Sequence, residues 1–494
     1  MRHARASHFW SLMFGFWFLL GIWILGVGVS QAAAAPSRPN IVFILADDLG
    51  INDLACYGRK EHHTPHLDRL AAQGVRFTSA YCAQPICSPS RAAILTGKAP
   101  ARLHLTTYLP GRPDCPSQKL LHPVIRQQLP LKEKTLAEYL KDVRYATACI
   151  GKWHLGGKGF LPTDQGFDVY RPGQAVTSPS ENEGGKGEYE LTAWAEEFIE
   201  ANRARPFFLY LAHDSPHIPF SARTNLVAKN AGAFNPVYAA VIETLDATVG
   251  RLLARLDALG LATNTIVIFT SDNGGLHVPE GPHATITHNA PFRAGKGYLY
   301  EGGLRIPLIV RWPGTVPAGR AVNAPVINTD WLPTLLDCAG LSRAKGVEGE
   351  SFRGLLTGRG KAGPRRFYWH FPHYTNQGSQ PAGAVRDGDW KLIEHYEDGR
   401  QELFHLGTDI GETKNLAASE PKRAARMARW LAEWRQTVGA QTNMVNPAFD
   451  AAAHRSLYVE FDSSRLNLAE ADAAGRTRAA AWRKQMNAVV PKSR

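Results

Sequence analysis

Four short apolar runs, each stopped by a cluster of polar residues, constrain this chain more than any other feature. Asn40-Ile41-Val42-Phe43-Ile44-Leu45-Ala46 stops at Asp47-Asp48, and Ala146 to Ile150 stops at Gly151-Lys152. Phe207 to Ala212 stops at His213-Asp214, and Thr265 to Thr270 stops at Ser271-Asp272-Asn273-Gly274. A short apolar run with an abrupt polar end reads as a strand buried on both faces, as in a parallel sheet covered by helices. Helical segments lie between the runs. Thr64-Pro65 reads as an N-cap and an N1 proline, opening a helix through Leu67, Leu70 and Ala71 that Gly74 ends. Thr135 to Leu140 reads as a short helix. Val241, Ile242, Leu245, Val249, Leu252, Leu253 and Leu256 recur at three- and four-residue spacing before Gly260, which marks an amphipathic helix and its stop. The predicted class is α/β, with a large, mainly parallel sheet sandwiched by helices. The polar clusters then share the carboxyl edge of the sheet, where open α/β sheets place ligands.

At 494 residues the chain exceeds one ordinary domain. Residues 36–345 are predicted to form the main domain, and 346–494 a smaller α+β subdomain with an antiparallel sheet. In that second part, Arg353 to Arg366 reads as a linker rich in Gly, Arg and Lys. Ala384 to Glu394 and Gln401 to Leu406 read as strands around a turn at Asp398-Gly399, and Glu420 to Val438 as a basic helix. The tail after Gln441 suggests no element.

Residues 1–35 read as a targeting segment: Arg2, His3 and Arg5, a charge-free run from Phe9 to Val29, then Gln31-Ala32-Ala33-Ala34-Ala35. The run approaches the ~20 residues that span a bilayer, so an uncleaved anchor is the alternative to a signal peptide, and only that case ties the protein to a membrane. Either way the chain is expected to be exported, periplasmic or secreted. Export permits disulfides among Cys56, Cys82, Cys87, Cys115, Cys149 and Cys338, but the sequence implies no pairing. The formal charge of +12 serves general solubility or attraction to a polyanion. Nucleic acid is not expected as that partner, because the chain carries no zinc-ligand array, basic zipper or RNA-recognition signature.

The chemistry concentrates in five strings. Cys87-Ser88-Pro89-Ser90-Arg91 precedes Ala92-Ala93-Ile94-Leu95-Thr96-Gly97. Pro89 suits a first helical turn, which puts Cys87 at a helix N-terminus where free N–H groups favour an anion. Arg91 lies four residues on, one turn away on the same face. Asp47-Asp48 and Asp272-Asn273 end two of the apolar strands; singly such pairs are turn features, but together they offer four oxygen-bearing side chains suited to Ca²⁺ or Mg²⁺. The remaining strings are Gly151-Lys152-Trp153-His154-Leu155-Gly156, His213-Asp214-Ser215-Pro216-His217-Ile218-Pro219, and Gly295-Lys296-Gly297-Tyr298-Leu299-Tyr300-Glu301-Gly302-Gly303.

From about Asn40 to Leu416 these strings resemble the type I, formylglycine-dependent sulfatases, of arylsulfatase and N-acetylgalactosamine-6-sulfatase type, within the alkaline phosphatase superfamily. The resemblance implies an alkaline-phosphatase-like fold and sulfuric ester hydrolysis. It implies oxidation of Cys87 to formylglycine by a formylglycine-generating enzyme, and a cation, Ca²⁺ rather than Mg²⁺, held by Asp47, Asp48, Asp272, Asn273 and residue 87. It also implies that the hydrated formylglycine attacks sulfur while Arg91, Lys152 and Lys296 serve the anionic site. His217, chosen over His213 by its spacing to proline, would protonate the leaving alcohol. His154 would take the proton that releases sulfate. Two rivals stand beside this: a phosphatase or phosphonate monoester hydrolase of the same superfamily, and a silent scaffold binding sulfated glycans. With export and positive charge, the resemblance points to a sulfated carbohydrate, or another sulfate ester, as partner. Tyr368-Trp369-His370-Phe371-Pro372-His373-Tyr374 offers rings and imidazoles for a sugar, with packing at the subdomain junction as the competing assignment.

Overall fold

All four apolar runs are strands in which every residue is buried. The computed structural model describes residues 38–174 and 177–491, so the targeting segment read at residues 1–35 lies outside the described residues. In chain order the strands are β1 (Asn40–Ala46), β2 (Val75–Tyr81), β3 (Leu120–Leu121), β4 (Ala146–Gly151), β5 (Val169–Pro172), β6 (Phe207–Ala212), β7 (Thr265–Ser271), β8 (Arg305–Arg311), β9 (Arg320–Val322), β10 (Val326–Ile327), β11 (Arg366–Phe371), β12 (Ala382–Asp387), β13 (Trp390–His395), β14 (Gln401–His405) and β15 (Met444–Val445).

A nine-stranded sheet runs β10-β2-β8-β7-β1-β6-β4-β5, with β9 also paired to β2. The five strands from β7 to β5 are parallel, and β8 runs antiparallel to both its neighbours. Alternation along β1 explains the layers. Ile41, Phe43 and Leu45 face one apolar cluster, which contains the helix α2 (Cys87–Thr96) and Trp331. Val42, Ile44 and Ala46 face the other, which contains α1 (Pro65–Gln73) and the helices Glu188–Ala201 and Pro236–Ala258. A period-two strand thus feeds two helical layers.

Thr64 occupies the N-cap position of α1 but does not cap it: its hydroxyl accepts from the Ala55 N–H. The His66 and Leu67 N–H groups instead donate to the Asp246 carboxylate, 3.1 and 2.7 Å away, so the long helix caps its neighbour. The helix Leu136–Lys141 keeps a local solution, a capping box between Thr135 and Glu138.

The second part differs from the sequence reading in three places. Ala384–Glu394 is not one strand, because Gly388, at φ 59°, turns the chain between β12 and β13, which pair antiparallel with β11 and β14. The segment read as a linker includes a helical turn, Arg353–Thr357, anchored by buried Phe352 and Leu356. The tail after Gln441 folds back, pairing β15 with β3 and setting Trp482 and Met486 of the helix Ala473–Ala488 into the second apolar cluster. The first cluster crosses residue 345, joining Ile41 to Trp369 and Phe404. A buried ionic hub sits there: Lys391 donates to Glu301 at 2.9 Å and is ion-paired with Glu412 at 2.9 Å, and Tyr81 donates to Glu301 at 2.6 Å. All six cysteines are free.

Candidate active site

The register of the central strands builds the site. β1 and β7 pair with Ala46 opposite Ser271, so Asp47 and Asp272 leave the sheet side by side. The Asp272 N–H donates to the Ala46 carbonyl at 3.1 Å, and the Asp48 N–H donates to Asp272 Oδ1 at 3.1 Å. Asp48 takes a left-handed φ of 64°, sparsely populated for a residue with a side chain but tolerated by Asp, and Asn273 Nδ2 donates to its Oδ1 at 2.8 Å. All four side chains are buried.

α2 enters from one face. It starts at Cys87, after Ile86 in extended conformation, with no side chain capping its first turn. Cys87 Sγ lies with carboxylate oxygens of Asp47 and Asp272 in a group whose donor atoms are all within 4.8 Å of one another. Arg91, fully buried one turn on, donates from Nε and a terminal nitrogen to Asp272 Oδ2 at 3.0 and 2.8 Å. Its other nitrogen donates to the Lys152 carbonyl at 2.9 Å, and Asp47 lies 3.6 Å from the guanidinium.

Lys152 follows Gly151, whose φ of 100° and approach to Ala212 leave no room for a Cβ: one would sit 1.9 Å from the Ala212 carbonyl oxygen. Lys152 Nζ pairs with Asp47 Oδ2. Across the site Lys296 Nζ donates to Asp48 Oδ2 at 2.6 Å, on a loop held by the Gly297 N–H donating to the Pro85 carbonyl at 2.8 Å. His217 Nε2 is 3.6 Å from the same Asp48 oxygen, while its Nδ1 is tied to the Ile218 carbonyl. His154 donates from Nε2 to the Leu109 carbonyl at 2.9 Å and leaves Nδ1 buried without a partner.

These contacts set the charges. Burial pushes the Asp47 carboxyl up, but Lys152, His217, Arg91 and Lys296 outweigh it and hold it well below the usual range. Asp48 is also lowered, burial being outweighed chiefly by Lys296. Asp272 goes the other way, to about 7, through burial and the neighbouring Asp47, with Arg91 opposing. Burial and Lys296 lower His217 to about 4; burial and Lys152 lower His154 to about 4. Burial raises the Cys87 thiol, so an unmodified Cys87 is a thiol and a poor nucleophile.

The residues present fit a hard cation. Asp47 Oδ1 and Asn273 Oδ1 are buried with no hydrogen-bond partner, and Asp272 is a carboxylate whose charge the protein's own cations do not fully offset. Two oxygens without donors beside Asp48 and Asp272 make an oxygen-rich cradle of the kind Ca²⁺ or Mg²⁺ takes.

Every residue singled out in the sequence, Asp47, Asp48, Cys87, Arg91, Lys152, His154, His217, Asp272, Asn273 and Lys296, belongs to this one cluster. His213 is apart from it in role: buried, with Nδ1 paired to Glu188. Of the two assignments for the aromatic string at residues 368–374, the structure supports packing at the junction and not a sugar platform. Trp369 Nε1 donates to the Cys82 carbonyl at 2.9 Å, His370 is bonded to Tyr396 and Gln441, and His373 to Thr106 and His122. Trp369, His370, Phe371, His373 and Tyr374 are about 1% exposed, so they pack the junction and have no ring face free for a sugar. The sequence reading missed Lys186 and Glu188, which support the His217 loop; a lysine between glycines in a polar stretch looks like any surface loop.

A family model described as "Sulfatase" matches residues 39–341, and one described as "N-sulphoglucosamine sulphohydrolase, C-terminal" matches residues 294–436. The N-acetylgalactosamine-6-sulfatase of Canis lupus familiaris is 37% identical over 456 residues, covering 81% of this chain and 85% of that protein. Human (Homo sapiens) arylsulfatase A is 35% identical over 413 residues, covering 74% and 76%. A solved structure of Ps i-CgsB in complex with k-i-k-neocarrahexaose superposes with a TM-score of 0.70 at 28% identity, covering 81% of this chain and 93% of that one.

Proposed function

The chain belongs to the sulfatase family, and from that premise we propose that it removes sulfate from a sulfated carbohydrate, using Cys87 converted to formylglycine. One observation carries the reading: two lysines, the partly buried Lys152 and the buried Lys296, converge on the aspartate pair beside Cys87. A sulfate monoester is an anion, and its transfer needs positive charge around the sulfonate oxygens. These lysines, one paired with Asp47 and the other with Asp48, supply it from fixed positions.

Formylglycine would supply, once hydrated, one hydroxyl to attack sulfur and a second whose deprotonation re-forms the aldehyde and so releases the sulfate carried on the first. Asp47, Asp48, Asp272 and Asn273 would hold Ca²⁺, which adds charge and favours an ionised hydroxyl at residue 87. Arg91 holds Asp272 and, through the Lys152 carbonyl, the start of the Lys152 loop. His217 presents Nε2 to the pocket while Nδ1 is anchored, the arrangement for donating a proton to the departing alcohol. Burial and Lys296 disfavour that proton in the free protein; the negative charge of a bound ester offsets Lys296 and favours it. His154 keeps a free Nδ1 lone pair, suited to taking the proton that releases sulfate.

The carbohydrate assignment is supported by the sugar-directed names of the similar proteins, N-acetylgalactosamine-6-sulfatase and a structure solved with neocarrahexaose. Export to the periplasm or medium, through residues 1–35, completes the reading; maturation would pass through a formylglycine-generating enzyme. Peptide mass spectrometry of residue 87, in protein from its native host or co-expressed with that enzyme, tests the nucleophile, with matched sulfate and phosphate esters assayed alongside. Formylglycine and preferential sulfate release are expected. An unmodified Cys87 in the native host, or faster phosphate release, would overturn the proposal.

A further inference from the structure

The loop that carries His217 is gripped from two sides. On the sheet side, the His213 N–H donates to the Leu45 carbonyl at 2.9 Å and the Asp47 N–H to the Ser215 carbonyl at 3.0 Å. On the other side stands the segment that opens the helix Glu188–Ala201. Glu188 pairs with His213, and Lys186, 1% exposed, turns its ammonium under the loop. Lys186 Nζ donates to the Asp214 carbonyl at 3.2 Å and to the His217 carbonyl. The Asp214 carbonyl also accepts the His217 N–H at 3.1 Å, so one ammonium pins both ends of the turn.

No carboxylate lies within ion-pair distance of Lys186 among the described residues. Burial lowers the pKa of the ammonium, outweighing Asp47, Asp214 and Glu188, which lie near enough to favour it. Burying an ammonium with no carboxylate in contact is costly, and a neutral donor would satisfy a carbonyl more cheaply. What the charge adds is strength: charge-assisted bonds are roughly twice as strong as neutral ones. The His217 carbonyl is next to the peptide unit whose Ile218 carbonyl anchors the imidazole Nδ1. Holding that backbone therefore holds the direction in which Nε2 faces Asp48 and the pocket.

We propose that Lys186 is a positioning residue for proton donation, acting through the His217 loop and touching neither substrate nor cation. This rests on the reading of His217 given above. A proton donor displaced by about 1 Å can lose ~10²-fold in rate, and the loss grows with the basicity of the leaving alcohol. Loss of Lys186 therefore has a signature: it slows esters of poor leaving groups far more than esters of good ones.

The test compares kcat on 4-nitrophenyl sulfate and on phenyl sulfate for formylglycine-bearing wild type, Lys186→Met and His217→Ala. Lys186→Met is expected to slow phenyl sulfate at least ~10-fold more than 4-nitrophenyl sulfate, in the same sense as His217→Ala. Should Lys186→Met not accumulate as folded protein, Lys186→Gln, which keeps a donor but no charge, gives the same comparison. Equal slowing of both esters by the lysine variant, with His217→Ala still selective, would sink this inference and leave the sulfatase reading standing. A His217→Ala protein without selectivity would overturn the reading of His217 as proton donor and this inference with it.

Discussion

Replacing Arg91 by Met tests whether the site is held together by its buried charges. The guanidinium is fully buried, makes two bonds to Asp272 Oδ2 and one to the Lys152 carbonyl, and stands 3.6 Å from Asp47. Met fills similar volume but leaves Asp272 with no cationic partner in contact. Removing one member of a buried, hydrogen-bonded ion pair costs about 3–5 kcal/mol, here because the Asp272 carboxyl stays buried, loses its bonds and must take up a proton. For a folded unit of about 450 residues, unfolding entropy is roughly 1 kcal/mol/K, so Tm should fall by about 3–5 °C. Removing both charges removes most of the cause. Arg91→Met combined with Asp272→Leu should recover much of the loss, although Asp47 keeps the recovery incomplete. The assay is thermal unfolding of wild type, both single variants and the double variant at one scan rate, with urea midpoints as a second measure. A single variant melting within about 1 °C of wild type, or a double variant losing the sum of the two single losses, would refute the ion-pair reasoning.

Lys296→Ala removes one of the two cations aimed at the sulfate, so kcat/KM on an aryl sulfate should fall by ~10²–10³-fold; an unchanged kcat/KM would remove Lys296 from the mechanism. Chelation should lower Tm, since a cation at 100 times its Kd contributes ~2.7 kcal/mol to the folded state, and Ca²⁺ should restore it better than Mg²⁺. A melt indifferent to chelator would mean that the oxygen cradle holds no ion. Burial and Arg112 push His122 down to about 3, and burial with His122 and His370 holds His373 well below its ordinary value. Both stay neutral in the folded chain while the unfolded chain takes up protons below about pH 6.5. Stability should therefore fall as pH drops from about 6.5 toward 3, by up to ~1.4 kcal/mol per pH unit for each histidine. His122→Gln should narrow the gap between urea midpoints at pH 7 and pH 5, and an unaltered gap would refute the assignment.

The sheet was legible because its strands are buried on both faces. Burial on both sides leaves no polar residue inside β1, β4, β6 or β7 beyond Asn40 and the Thr and Ser positions, so each strand reads as one run with a sharp end. Part of the site was legible for a related reason: Asp47, Asp48, Lys152, Asp272 and Asn273 follow those ends directly, and a sheet in parallel register delivers Asp47 and Asp272 to one edge. The second sheet was less so. Gly388 turns the chain inside what reads as one strand, and a single glycine does not distinguish a turn from a bulge.

Sequence alone determined the class and the strand ends, because periodicity and polar punctuation are local properties of the chain; the groups expected at the site came from the resemblance of its motifs to the sulfatases. It did not determine the partners. That Asp246 caps α1, that Lys391 bridges Glu301 and Glu412 across residue 345, and that the aromatic string packs the junction all depend on contacts between distant residues. The same holds for Lys186. In the sequence it is a lysine among glycines; in the folded chain it lies under the His217 loop, because only tertiary packing decides which carbonyls a buried ammonium meets.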